Sequence, residues 1–66
     1  MQRAIYKNIA SHNLYVVDAV GINKTKKDSG ARMVIYRPLY KSDLPLPIVR
    51  ELAEFNELFE FVESVE

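Results

Sequence analysis

The chain has no cysteine and no tryptophan, two glycines and a single histidine. Without cysteine there are no disulfides and no thiolate metal ligands. With only Gly21 and Gly30 available, a glycine-rich phosphate-binding loop cannot be built. The one histidine, His12, sits among Ser11 and Asn13, where a surface turn is the simplest reading. No serine-centred elbow motif is present to supply a nucleophile. The chain is therefore expected not to be an enzyme and to need no cofactor or metal. No apolar run approaches the roughly 18 residues of a membrane span. Met1-Gln2-Arg3-Ala4-Ile5-Tyr6 holds no apolar core of signal-peptide length. A cytoplasmic protein without a membrane role is expected.

What is present fits one small domain. Sixty-six residues, 48% of them hydrophobic, are enough for a single folded unit over 1–66. A chain of this size buries only about 60% of its unfolded surface, so its stability is narrow. Lacking disulfides and metals, it depends on apolar packing, and a homo-oligomer would add to that core.

The densest run of strand-forming side chains is Met33-Val34-Ile35-Tyr36-Arg37-Pro38-Leu39-Tyr40. Branched and aromatic residues suit a pleated, half-buried surface, and Pro38 marks a strand end, bulge or edge. Leu14–Asn23 also reads as a strand. Leu14, Val16, Val20 and Ile22 share one parity, interrupted by Asp18, while Tyr15, Val17 and Ala19 take the other. Gly21 is a candidate for a bulge. The polar stretch Lys24–Gly30 between the two runs makes a hairpin of 14–23 with 31–37. Upstream, residues 4–6 offer a short strand, and Asn8, Ser11, His12 and Asn13 favour a turn. Lys41–Pro47, with Pro45 and Pro47, is a connection.

Beyond Pro47 two patterns compete. Ile48, Leu52, Phe55, Phe59 and Val62 recur at helical spacing. Glutamates at 51, 54, 57, 60, 63 and 66 recur every third residue, which drifts about 60° per step on a helix. A helix over about 51–57 followed by a strand near 58–63 removes the conflict. Ile35, Leu52, Phe55 and Val62 are expected to share one core.

Two short segments resemble a known family. Val34-Ile35-Tyr36-Arg37-Pro38-Leu39-Tyr40 and Ile48-Val49-Arg50-Glu51-Leu52-Ala53-Glu54-Phe55 are similar to Val-Val-Tyr-Arg-x-Leu-Tyr and Trp-Val-Arg-Pro-Leu-x-x-Phe. Those motifs belong to the small bacterial domain-of-unknown-function family 1653, and Tyr15-Val16-Val17 resembles its early Tyr-x-Val. Ile48 stands where the family usually has tryptophan, and Glu51 where it has proline. The family's Lys-Gly turn is also not matched, since Lys7-Asn8 stands farther from the strand and lacks the glycine. The resemblance implies a mainly β fold, a small SH3-like antiparallel barrel with a short helix near the C-terminus. It implies no activity. The alternative from the residues is an α+β arrangement, a hairpin sheet packed on a C-terminal helix.

Net charge is zero but unevenly spread. All nine Lys and Arg fall in residues 1–50 with three acids, while residues 51–66 carry six glutamates and no base. The two parts, +6 and −6, read best as surfaces that pack together, because the acidic part is too apolar for a solvated tail.

Two function classes follow. A barrel lacking catalytic groups suits a non-catalytic binding module, an accessory or inhibitor acting by stoichiometric protein–protein interaction. Exposed strand edges allow β-augmentation, and Tyr36, Arg37, Tyr40 and Arg50 are candidate anchors, since Tyr and Arg are enriched at interface hot spots. The alternative is a nucleic-acid-binding barrel. There Lys24, Lys26, Lys27 and Arg32 would contact phosphates while Tyr15, Tyr36 and Tyr40 stack on bases. Zero net charge and six glutamates weigh against it. A protein partner is preferred.

Overall fold

The computed structural model describes residues 3–26, 30–40 and 46–65. Five strands and one helix follow in the order β1 (Arg3–Asn8), β2 (Leu14–Ile22), β3 (Arg32–Pro38), β4 (Ile48–Glu51), α1 (Leu52–Leu58) and β5 (Phe59–Val65). All pairings are antiparallel, in the sheet order β4-β3-β2-β1-β5. The fold is mainly β with a short helix before the final strand, as expected. The hairpin of β2 and β3 also lies where the two apolar runs place it.

The segment after Pro47 resolves as strand, helix, strand. Glutamates every third residue cannot hold one face of a long helix, so the helix stops after two turns and the chain becomes extended at Phe59. Its first turn gains an ion pair from Arg50 to Glu54. The long C-terminal helix of the α+β alternative is not formed. The closed SH3-like barrel that the resemblance implies is not formed among the described residues, because β4 and β5 remain the two edges of the sheet. α1 bridges the gap between them, packing on β3, β4 and β5.

Turn chemistry sets the register. At the β1–β2 turn the Asn8 side-chain oxygen accepts from the amides of Ala10 and Ser11, at 3.0 and 2.9 Å, and His12 takes a φ of 66°. Asn23 works the same way after β2, accepting from the Thr25 amide at 2.8 Å. Gly30 closes that loop at a φ of 97°, which suits glycine, and its amide donates to the Asn23 carbonyl. Pro38 ends β3, where its missing donor costs nothing. Residues 41–45 of the expected connection lie outside the described residues.

The bulge in β2 falls at Asp18 rather than Gly21. Val17 pairs with Tyr36 and Ala19 with Ile35, so Asp18 has no opposite residue. Its carboxylate instead accepts from Arg37 at 2.7 Å and lies 3.7 Å from Arg3. The extra residue shifts the parity of β2, so Val20 follows Val17 onto the inner face, opposite Val34.

The core is Val17, Val34, Tyr36, Phe55 and Phe59, with Tyr6, Tyr15, Ile48 and Leu52 packed against it. Phe55 and Phe59 stack at 4.3 Å with ring planes 9° apart. Tyr6 and Tyr36 meet Phe55 edge-on at 5.0 and 5.2 Å, and Tyr15 meets Phe59 likewise at 5.2 Å. Tyr40 contacts Tyr15, and Phe61 contacts Tyr6. The four tyrosines and three phenylalanines thus form one continuous chain of rings.

Two expected core residues are elsewhere. Ile35 alternates with buried Val34 and Tyr36, so it points to the opposite face, beside Ala19 and Val49. Val62 is 43% exposed, because β5 bulges there: Tyr6 pairs with Phe61 and Ile5 with Glu63. Phe59 fills the place that helical spacing gave to Val62.

Candidate interaction site

The four residues expected to form a binding patch do not assemble into one. Tyr36 is 1% exposed and belongs to the core. Arg37, its neighbour in an extended strand, points to the other face and is held by Asp18, which raises its pKa. Arg50 lies opposite Val34 on the inner face, and its Nε donates to the Tyr36 hydroxyl at 3.0 Å. That bond, with the Glu54 ion pair, outweighs partial burial and raises the Arg50 pKa. Tyr40 is exposed, and its hydroxyl lies 3.2 Å from that of Tyr15. This hydrogen bond first, then burial, pushes the Tyr15 pKa up to about 12.

The basic positions separate from the tyrosines. Lys24, Lys26 and Arg32 are exposed at the loop end of the β2–β3 hairpin, and Lys27 lies outside the described residues. Tyr15 pairs with Pro38 at the hairpin's other end, with Tyr40 just beyond. The seven residue steps from Tyr15 to Ile22 span roughly 23 Å at strand rise. A strand bound at the loop could not also stack on those rings without running the length of the hairpin.

Sequence reasoning named exposed edges only in general, and the structure shows which edge is prominent. β4 is four residues long and follows Pro47, so little of it can accept another strand. β5 is seven residues long, contains neither proline nor lysine, and pairs only with β1 among the described strands. It carries Phe61, 57% exposed, and Val62. Its glutamates Glu60 and Glu63 share the outer face, paired with Lys7 and Ile5 of β1. The core opens into a cleft of about 50 Å³ between α1 and the sheet, lined by Tyr6, Val17, Val20, Leu52 and Phe55. Leu52 and Asn56 connect this cleft to a shallower depression of about 340 Å³ beside Arg32 and Glu51.

The signal for this edge was present as the alternation Phe59-Glu60-Phe61, which reads as a strand with one apolar face. Its edge position follows from long-range pairing that no local pattern encodes. Among the described residues no cluster of three or more His, Cys, Asp or Glu is placed to hold a metal. No helix there is long and apolar enough to cross a membrane. No protein family, curated protein or solved structure matches this chain.

Proposed function

We propose that this protein is a non-catalytic binding module, an accessory or inhibitor acting in the cytoplasm by stoichiometric association with another protein. The observation that carries the reading is the outer edge of β5, seven residues long, without a second strand among the described residues, and carrying exposed Phe61 and Val62. An open edge offers a row of backbone donors and acceptors, and an extended partner can satisfy them while its side chains meet those of the edge. The site moves accordingly from the Tyr36, Arg37, Tyr40 and Arg50 grouping to β5. The nucleic-acid alternative through Lys24, Lys26, Lys27 and Arg32 has weaker support, since the loop stands apart from the tyrosines.

The test starts from tagged protein mixed with nuclease-treated extract of its source cells. A retained protein is then purified and recombined with the chain. We expect a complex of fixed stoichiometry by light scattering, lost in Phe61→Asp, whose side chain lies outside the core. Retention seen only in extract left untreated with nuclease, or a complex indifferent to Phe61→Asp, would reject this reading.

A further inference from the structure

Taking the β5 reading as its basis, we infer that this edge selects an extended segment in which basic residues alternate with apolar ones. The argument begins with the pairing β5 already makes. On its occupied side, Lys7 of β1 stands opposite Glu60 with its Nζ 3.0 Å from the carboxylate. The next residue of β1, Tyr6, stands opposite Phe61 and meets that ring edge-on at 5.7 Å. β1 therefore displays the chemistry that β5 accepts: a cation on the outer face, an apolar ring on the inner face.

The free side repeats these demands. An antiparallel or parallel strand added there places side chains about 5 Å from those of β5, with the same two-residue alternation. Its outer residues meet Glu60 and Glu63, and its inner residues meet Phe61. Glu60 remains half exposed despite Lys7, and Glu63 faces Ile5, which cannot neutralise it. The surrounding field has the same sign, because Leu52–Val65 contains Glu54, Glu57, Glu60 and Glu63 and no Lys or Arg. A second copy of the chain fits poorly. Antiparallel β5–β5 pairing about Phe61 and Val62 would set Glu60 against Glu63 of the other copy, and like charges directly opposite are unfavourable. The bulge at Val62 bends the edge, so pairing runs most regularly along Phe59–Phe61 or Glu63–Val65.

The probe is an acetylated octapeptide alternating Lys with Val and Tyr, titrated into the isotope-labelled full chain at low salt. We expect slowed exchange at those β5 amides that do not bond to β1. Glu60→Gln/Glu63→Gln should weaken binding about tenfold, roughly threefold for each opposite-charge pair. The single variant Glu63→Gln, which leaves the Lys7 pair intact, should lose about threefold. The same peptide with Glu in place of Lys should not bind. Equal binding of a Thr/Val peptide at β5 would overturn the charge selection while leaving edge binding intact. Equal binding of a Lys peptide N-methylated to block strand pairing would reduce the effect to surface attraction and overturn the inference. Protection of no β5 amide by any peptide, together with an extract partner that maps elsewhere, would overturn both readings. Concentration-dependent dimers protected at β5 would identify a second copy as the occupant and reject the basic partner.

Discussion

Phe55→Ala is the sharpest test of how this fold is held. Phe55 is 2% exposed and touches three other rings, stacking on Phe59 and meeting Tyr6 and Tyr36 edge-on. Truncating a buried phenylalanine to alanine costs about 3–5 kcal/mol, from lost transfer energy plus the cavity left behind. A 66-residue domain has about 3–10 kcal/mol in total, taking about 0.05–0.15 kcal/mol per residue. The variant should therefore be largely unfolded or close to it at 25 °C. Phe55→Leu keeps most of the volume and loses the ring contacts, so a cost of about 1–2 kcal/mol is expected. At about 4–8 °C per kcal/mol for a domain of this size, that lowers Tm by roughly 5–15 °C. Phe61→Ala is the control. Its ring is 57% exposed, so the cost should stay below about 1 kcal/mol. Urea denaturation followed by circular dichroism, at two protein concentrations, measures all three. A Phe55→Ala midpoint equal to wild type would refute the core assignment. A Phe61→Ala cost matching that of Phe55, and growing with concentration, would mean that Phe61 is buried by self-association.

Other outcomes follow from single features. The Tyr15 pKa, raised to about 12 from an ordinary value near 10, makes the folded state hold its proton longer than the unfolded state. That contribution is complete below pH 10 and is lost as pH rises from 10 to 12, and Tyr15→Phe should flatten the fall in a denaturation series across that window. Tyr36→Phe removes the acceptor of the Arg50 Nε bond and should cost about 1–2 kcal/mol. A Tyr36→Phe/Arg50→Met double-mutant cycle with no coupling would show that the bond contributes nothing. Gly30→Ala, at a φ of 97°, should destabilise by about 1 kcal/mol. Gly21→Ala, where an added Cβ meets nothing within 4 Å, should be neutral or slightly stabilising in the same melts.

Much of the architecture could be read from local pattern. Asn8 declares its turn because its side chain bonds nearby backbone amides, which is a property of a few adjacent residues, whereas Asn23, which reads as a strand end, does the same after β2. The conflict between apolar and glutamate spacing after Pro47 was enough to break one helix into a helix and a strand. Asp18 interrupted an otherwise regular parity and did mark the bulge, although Gly21 looked the more permissive place. In the sequence β4 is open between strand and helix start because four residues, Ile48–Glu51, carry too short a pattern to decide. The four candidate anchors do not share one surface, for a simpler reason. Tyr36 and Arg37 are neighbours in sequence, and in a strand neighbours face opposite ways. Tyr36 was attractive as an anchor because of its size and hydroxyl, and those same properties let it fill the core while bonding Arg50. The prominence of β5 depends on which strand ends without a partner, a matter of topology that residue pattern does not carry.

The pairing of β1 with β5 also bears on how the chain is made. β2 follows β1 at once, but Asn8 meets Phe59 only after about fifty further residues have been added. At the usual elongation rate of about 5–20 residues per second, that is a wait of several seconds. A β1–β2–β3 meander formed before residue 55 is added would hold Tyr6, Tyr15 and Tyr36 without Phe55 and Phe59, the two rings that cover them. Synthesis halted before Phe59 would leave a product with an incomplete ring chain and a β1 paired with β2 alone, its other edge open to aggregation or to proteases.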